Sequence, residues 1–284
     1  MIEVINLSHS YGNDDILAVK NISFHVQQGE TFGFLGPSGA GKSTTQNILT
    51  GLLDLQQGDV AVAGYDIRKK DAARFNSIGV SFEQANVYGK LTALENLQYY
   101  AALFDVPTRD PMELLELVGL KEHAKERAST FSKGMKHRLT FARSMLNRPK
   151  LWFLDEPTTG LDPAIAAAIK DIIRQEKAKG TTVFLTTHNM HIAEELCDRV
   201  AFIVDGELKL IDTPKNLKQK FGHRVADVEY LEQGLPIQKK FRLTDAEEKK
   251  ALSSLIQEKE ILTMHTKEAT LEEIFIEVTG KGLE

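Results

Sequence analysis

The sequence predicts an α/β protein with a parallel sheet, followed by a smaller α+β region. Apolar runs such as Ile78 to Phe82 and Leu151 to Leu154 alternate with amphipathic helical stretches, a pattern typical of parallel strands covered by helices. A glycine-rich segment follows the apolar run Thr31 to Leu35 directly. After Pro214 the pattern changes to two strand-like runs, a polar helix and a final helix. These observations divide the chain near residue 212.

Length and composition agree with two folded domains. The chain has 284 residues, and domains average about 150 residues. Its 42% hydrophobic and 26% charged residues are typical of a globular protein. A net charge of -5, without a block of one sign, argues against a nucleic-acid binder. The single Cys197 lies in an apolar helical stretch, which favours a buried, inert thiol.

Local signals place several elements. The β-rich first 65 or so residues predict an antiparallel component. Capping boxes at Thr92 to Glu95 and Thr270 to Glu273 predict two helix starts. A third start is predicted at Asp162-Pro163, with aspartate as the cap. The final helix carries one apolar stripe of Leu271, Ile274, Phe275 and Val278. No apolar run is long enough to span a membrane and the start lacks a signal peptide, so we expect a cytosolic protein.

The strongest chemical signal is a P-loop. It runs through Gly36, Pro37, Ser38, Gly39, Ala40, Gly41, Lys42 and Ser43. Its backbone N–H groups and the following helix N-terminus suit the β- and γ-phosphates of a nucleotide. We expect glycines here because a Cβ would obstruct the anion. Lys42 supplies a positive charge to the phosphates, and Ser43 offers a hydroxyl to Mg²⁺.

Acidic and histidine side chains follow two other predicted strands. The run Leu151 to Leu154 ends in Asp155 and Glu156, and a later run ends in His188. Ligands of parallel sheets bind at the carboxyl edge. Asp155 is therefore expected to hold Mg²⁺, and Glu156 to orient or deprotonate the attacking water. His188 can contact the γ-phosphate from the same edge.

Four spaced motifs resemble those of one family. They are GPSGAGKST from Gly36, FSKGMKHRL from Phe131, LWFLDEPTTGLD from Leu151 and TTH from Thr186. In this order they resemble the nucleotide-binding subunit of ATP-binding cassette (ABC) transporters. The resemblance covers residues 1 to about 215. It implies a P-loop NTPase cassette over 1–212 with a mixed sheet, an antiparallel β subdomain and a helical subdomain near 85–150. An accessory α+β domain over 213–284 remains.

The resemblance also implies roles for individual residues. Tyr11 would stack on the adenine of ATP, and Gly36 to Thr44 would hold its phosphates. Gln84 would contact Mg²⁺ and the membrane partner, Glu156 would be the catalytic base, and His188 the γ-phosphate switch. Ser132 and Gly134 would belong to the signature loop that meets the γ-phosphate of the opposite subunit in a homodimer, and Asp162 would be the aspartate that contacts that subunit.

The signature motif departs from the family's usual Leu-Ser-Gly-Gly-Gln. Lys133 stands where glycine is usual, and Met135 replaces an amide. This variant, like the Ala269 to Phe275 tail, resembles a bacterial branch that exports drugs, antibiotics and lipid-linked glycans. The implied function is an ATPase motor on the cytoplasmic face of the membrane, bound there through a separate permease.

Two alternatives remain open from the sequence. A cassette ATPase could act on the ribosome or on nucleic acid, although the segment from Gln84 to Ser132 leaves no room for a long coiled coil and there is one P-loop. A P-loop kinase of small molecules would leave the signature motif and His188 without a role.

Overall fold

The computed structural model describes residues 1–12, 16–69, 71–222 and 225–282. Two compact units are present, Met1–Ile211 and Asp212–Gly282. The last two residues of the predicted accessory region 213–284 lie outside the described residues. Within the described part of the chain, we find no helix with the length and apolar character needed to cross a membrane.

The first unit contains a small antiparallel sheet. Its strands are β1 (Ile2–Ser10), β2 (Leu17–Val26), β4 (Gln57–Val62) and β5 (Tyr65–Asp66), in the order β2-β1-β4-β5. Its inner face is apolar because alternate residues such as Ile2, Val4 and Phe24 are buried. The predicted antiparallel component is thus confirmed.

The main sheet of this unit has six strands. They are β3 (Thr31–Leu35), β6 (Ile78–Ser81), β7 (Leu151–Asp155), β8 (Thr182–Thr187), β9 (Arg199–Val204) and β10 (Glu207–Asp212), in the order β10-β9-β3-β8-β7-β6. The five strands from β9 to β6 pair in parallel. Strands β3, β7 and β8 are buried over their whole length. Because these three strands run parallel, their carboxyl ends lie at one edge of the sheet.

Seven α-helices accompany these sheets in the described residues. They are α1 (Lys42–Thr50), α2 (Ala72–Ser77), α3 (Ala93–Ala101), α4 (Pro111–Leu117), α5 (Lys133–Arg143), α6 (Pro163–Ala178) and α7 (Met190–Leu196). The capping box predicted at Thr92 forms with Glu95. Helix α6 begins as expected, with Asp162 at the N-cap position, but the Asp162 side chain makes no capping hydrogen bond. The expectation of an aspartate cap there was wrong in this respect.

Aromatic packing joins the two sheets. Phe24 of β2 stacks on Phe32 of β3, with ring centroids 5.7 Å apart and planes 4° apart. Phe24 also lies 5.4 Å from Phe34 and 6.2 Å from Phe184 of β8. Phe184 in turn contacts Phe153 of β7 at 5.6 Å. These five rings form the phenylalanine cluster, which connects β2 to three strands of the main sheet.

The only cysteine of the sequence lies next to β3. Cys197 follows α7 and is buried. A Cβ added to Gly33 would lie 2.8 Å from Cys197 Sγ, so the glycine makes room for the sulfur. Burial, reinforced by the charge of Asp198, raises the pKa of the Cys197 thiol far above its usual range. The prediction of a buried, inert thiol is confirmed.

The second unit has a three-stranded antiparallel sheet and three helices. They are α8 (Pro214–Lys220), β11 (Val225–Glu232), β12 (Leu235–Arg242), α9 (Ala246–Glu258), β13 (Ile261–Lys267) and α10 (Leu271–Thr279), with strand order β12-β11-β13. The sequence predicted β11 and β12 but not β13. Except for Ile261, the side chains of β13 are all exposed, so it lacks the apolar alternation that marks a half-buried strand.

The final helix of this unit buries the stripe that the sequence predicted. Leu271, Ile274 and Phe275 are fully buried, and Val278 is half-buried. The capping box of Thr270 and Glu273 forms at its start.

We predict that Phe24→Ala lowers the free energy of unfolding of the first unit by about 3–5 kcal/mol, the usual cost of a deleted core aromatic. Loss of this ring leaves a cavity between the sheets. Chemical denaturation measures the change. Phe75→Ala is the control, because Phe75 is 43% exposed and its loss should cost less than about 1 kcal/mol. Equal losses in both variants would contradict a special role for the phenylalanine cluster.

Candidate nucleotide site

The P-loop connects β3 to α1, and its glycines are required by the protein's own backbone. A Cβ on Gly36 would lie 2.1 Å from the carbonyl oxygen of Ile203, and one on Gly41 would lie 2.6 Å from that of Ala18. Gly41 also has a φ of 104°, which a side chain rarely tolerates. We expected a Cβ to obstruct an anion. At these two positions it would first collide with β9 and β2.

Lys42 lies at the start of α1 with its ammonium group inside the loop. Its Nζ donates to the carbonyl oxygens of Gly36 at 2.7 Å and Pro37 at 2.8 Å. Burial lowers the pKa of Lys42, and the negative charges of Glu156, Asp155 and Glu83 oppose that shift. The loop therefore encloses one positive charge close to three carboxylates.

Tyr11 reaches this region from the end of β1. Its hydroxyl lies 3.2 Å from Thr44 Oγ1 and donates to it. The side chain is otherwise open, since 63% of Tyr11 is exposed. An aromatic ring is thus available at the side of the loop.

Asp155 ends β7 and is buried. The Thr186 hydroxyl of the adjacent β8 donates to Asp155 Oδ1, because the parallel register pairs these two residues. Burial raises the pKa of Asp155, and the negative charges of Glu156 and Glu83 add to the shift. The Thr186 hydrogen bond and Lys42 act against it. Ionisation of Asp155 in the folded protein is therefore unfavourable.

Glu156 follows directly and is fixed by four donors. Its Oε1 accepts from the backbone N–H of His188 at 2.8 Å and lies 2.6 Å from His188 Nδ1. Its Oε2 accepts from the hydroxyls of Thr159 and Thr187, each at 2.9 Å. The backbone of Glu156 has a φ of 47°, a conformation that costs a non-glycine residue about 1–3 kcal/mol. This turn aims the carboxylate back toward the sheet edge.

These groups line one cavity of about 620 Å³. Its lining residues are Tyr11, Ala18, Ser38, Gly39, Gly41, Lys42, Ser43, Thr44, Glu83, Asp155, Glu156 and His188. Most of the residues singled out in the sequence therefore meet here. Gly36, Pro37 and Ala40 belong to the same loop but do not line the cavity.

Glu83 and Ala18 also line this cavity but were not predicted from the sequence, and neither were the threonines that donate to the two acids. Thr186 and Thr187 were visible only as part of the TTH motif. Glu83 carried no signal because an acid after a short apolar run is common on protein surfaces.

Four predicted residues lie away from this cavity. Gln84 and Gly134 line a second cavity of about 410 Å³, together with Glu83, Ala85, Lys133, Lys136, His137, Thr159, Gly160 and Leu161. Ser132 is the N-cap of α5, and its Oγ accepts from the backbone N–H of Met135 at 3.2 Å. Asp162 stands at the start of α6. The chain by itself does not bring these residues to the P-loop.

The chemistry of the P-loop cavity suits a magnesium–nucleotide complex. Backbone N–H groups, a helix N-terminus and Lys42 attract phosphate. Ser43 and Asp155 offer hard oxygen atoms, which Mg²⁺ prefers. The described residues contain no group of three or more His, Cys, Asp or Glu side chains placed to hold a metal ion alone. This fits Mg²⁺, which is bound by one or two protein oxygens together with phosphate and water.

We predict that Asp155→Asn stabilises the protein at pH 7, by about 1 kcal/mol. The folded pKa of Asp155 is raised, so its ionised form destabilises the native state at neutral pH. The gain should disappear below about pH 4, where the carboxyl is protonated in both states. Denaturation at several pH values measures it.

Glu195→Gln is the control with the opposite sign. A hydrogen bond from Lys170 lowers the pKa of Glu195, and Arg174 adds to the shift, so this variant should be less stable at pH 7. If Asp155→Asn were also destabilised at pH 7, the unfavourable charge inferred for Asp155 would be wrong.

Comparison with known proteins agrees with this geometry. Residues 19–159 match the ABC transporter family model. The chain is 46% identical over 284 residues to a fluoroquinolones export ATP-binding protein of Mycobacterium tuberculosis, covering 100% of this chain and 94% of the relative. It is 33% identical over 315 residues to the linearmycin resistance ATP-binding protein of Bacillus subtilis, covering 100% of this chain and 99% of the relative.

Solved structures show the same fold. An ATP-binding subunit of an ABC transporter matches with a TM-score of 0.72 and 28% identity, over 78% of this chain and 93% of that one. A dimeric ATP-binding cassette bound to ADP and phosphate matches with a TM-score of 0.69 and 27% identity, over 75% and 98%. The chain therefore belongs to the ABC transporter family, as an ATP-binding subunit that hydrolyses ATP with Mg²⁺, dimerises and works with a separate membrane permease.

Proposed function

We propose that this chain powers the export of a drug or antibiotic through its permease, and that hydrolysis occurs in the P-loop cavity. The convergence of Lys42, Asp155, Glu156 and His188 on that cavity carries the proposal for the site. The names of the Mycobacterium and Bacillus relatives support export or resistance. They lend no support to a cassette that acts on the ribosome or nucleic acid.

In this proposal the residues predicted from the sequence divide the binding of the nucleotide among them. The P-loop backbone and Lys42 bind the β- and γ-phosphates, and Ser43 and Asp155 hold Mg²⁺. Tyr11 stacks on the adenine, and Thr44 is the last residue of the segment that holds the phosphates. Bound Mg²⁺ would neutralise charge that develops on the phosphates.

Glu156 acts as the general base for the attacking water. All four hydrogen bonds to its carboxylate orient it, yet a base must free one lone pair for the proton it accepts. We assign that exchange to His188, because its side chain is 53% exposed and it is the donor proposed to contact the γ-phosphate; Thr187 is buried, and Thr159, though exposed, does not line the P-loop cavity. When His188 turns to the γ-phosphate, Oε1 becomes available to water.

Ser132, Gly134 and Asp162 complete the site of the partner subunit in a homodimer. They lie outside the P-loop cavity of their own chain, so a second copy must supply them. Ser132 stands at the N-terminus of α5, where a γ-phosphate is favoured by the helix dipole. Gln84 faces the second cavity, and we propose that it responds to both Mg²⁺ and the permease.

We propose further that residues 1–212 form the cassette and 213–284 an accessory domain. The subunit would lie on the cytoplasmic face of the membrane, held there by the permease. The division of the described chain into Met1–Ile211 and Asp212–Gly282 supports the first statement.

We predict that Glu156→Gln lowers ATP turnover by about 10²–10⁴-fold, the usual effect of losing a general base. The amide keeps the shape and the acceptor oxygen, so the dissociation constant of ATP should change less than about threefold. Steady-state hydrolysis and calorimetric titration measure the two quantities.

Glu30→Gln is the matched control. Glu30 is 7% exposed and bonds Arg199 at the opposite end of the parallel strands, so turnover should be nearly normal. Turnover above about a tenth of normal in Glu156→Gln would show that another group is the base.

The export prediction is tested in cells that carry this chain with its permease. Accumulation of a fluoroquinolone should fall when the intact chain is expressed, and it should rise again with Glu156→Gln, because transport needs hydrolysis. Glu30→Gln should behave as the intact chain. Equal accumulation with the intact chain and Glu156→Gln would refute fluoroquinolone export.

A further inference from the structure

Tyr11 lines the P-loop cavity and has few side-chain contacts with the described residues. Apart from the hydrogen bond to Thr44, its described ring contact is with His9, at 5.0 Å between centroids and 80° between planes. This is the edge-to-face arrangement that aromatic pairs favour. The orientation of the ring that faces the cavity therefore depends on the residue behind it.

His9 is firmly placed in β1. It is 5% exposed and pairs with Val19 of β2. The intervening Ser10 is fixed on both sides by Gln56, whose side chain accepts from the Ser10 N–H at 2.8 Å and donates to its carbonyl at 3.0 Å. His9 and Tyr11 thus project from a segment whose backbone is tied to the start of β4.

Hydrogen bonding does not explain a histidine at this position. Its Nδ1 is buried and has no hydrogen-bond partner among the described residues. Burial also lowers the pKa of His9, which favours the neutral ring. What its ring provides is the aromatic edge against Tyr11.

We propose that His9 is a positioning residue for the nucleotide base, acting through Tyr11. The proposal rests on the stacking role proposed for Tyr11 above. An exposed tyrosine without this support would occupy several side-chain conformations, and base binding would have to select one. His9 holds the ring ready in one of them. Neither Lys42 nor Ser43 has a described contact with His9, and the described link from this pair to the phosphate site is the hydrogen bond that Tyr11 donates to Thr44.

The test compares ATP with tripolyphosphate, which has the phosphates but no base. Calorimetry with Mg²⁺ is carried out on the intact chain and on His9→Ala, His9→Phe, Tyr11→Ala and the double variant His9→Ala with Tyr11→Ala. We expect His9→Ala to weaken ATP binding about two- to tenfold, the value of one edge-to-face pair, and to leave tripolyphosphate binding unchanged. His9→Phe should restore ATP binding. In the Tyr11→Ala background, His9→Ala should add no further loss.

Leu7→Val is the packing control, because Leu7 is a buried residue of the same strand and has no described contact with Tyr11. It should bind both ligands normally. Equal weakening of ATP and tripolyphosphate by His9→Ala, or an additive loss in the double variant, would overturn the proposal.

The variant Tyr11→Ala distinguishes failure of the His9 proposal from failure of the stacking role proposed for Tyr11. Normal ATP binding in Tyr11→Ala would refute both the stacking role and the role of His9, yet the P-loop site itself would stand if tripolyphosphate still bound. Failure of the intact chain to bind either ligand would instead refute the P-loop site itself.

Discussion

Buried charge at the carboxyl edge of the main sheet is the constraint on which the rest of this unit depends. Lys42, Asp155 and Glu156 are all at most 9% exposed, and unpaired charges in such a place are strongly destabilising. The strand order places hydrogen-bond donors next to the buried carboxylates. Strand β8 lies between β3, which leads to the P-loop, and β7, which carries the acids. Its last residues, Thr186 and Thr187, therefore donate to both carboxylates.

The same edge is tied to the small antiparallel sheet. The P-loop passes so close to β9 and β2 that Gly36 and Gly41 admit no side chain, and the phenylalanine cluster fixes β2 on the main sheet. Tyr11 approaches the cavity from β1 of that small sheet. The base end and the phosphate end of the site thus come from two sheets, and packing between these sheets sets the distance between the two ends.

Much of this arrangement was predictable from local sequence, because its causes are local. Parallel strands end at one edge, so Asp155, Glu156 and His188 had to meet near Lys42. The capping box at Thr92 needs only four consecutive residues. Other features depend on neighbours that are remote in sequence. The close approach of Gly36 to the Ile203 backbone depends on the strand order. The hydrogen bonds from threonines to the two acids depend on it as well.

The remaining differences have equally specific causes. Gln84 lines only the second cavity, whereas its neighbour Glu83 also reaches the P-loop cavity, and the residue types of this bend do not indicate which of the two lies beside the P-loop. Glu83 borders both cavities. Strand β13 escaped prediction because it is held by pairing with β11 and not by apolar burial. Asp162 stands at its predicted N-cap position, but the capping hydrogen bond expected of its side chain does not form.

The enclosed sulfur of Cys197 has a practical consequence for experiments on this subunit. Thiol reagents attack the thiolate and need access to it, and this cysteine offers neither. A cysteine introduced on the surface would therefore be the only reactive thiol of the folded chain, with no need to replace the native one. A spin label or a fluorophore attached there would report from one chosen position, and Gly33 and the packing of β3 would stay undisturbed.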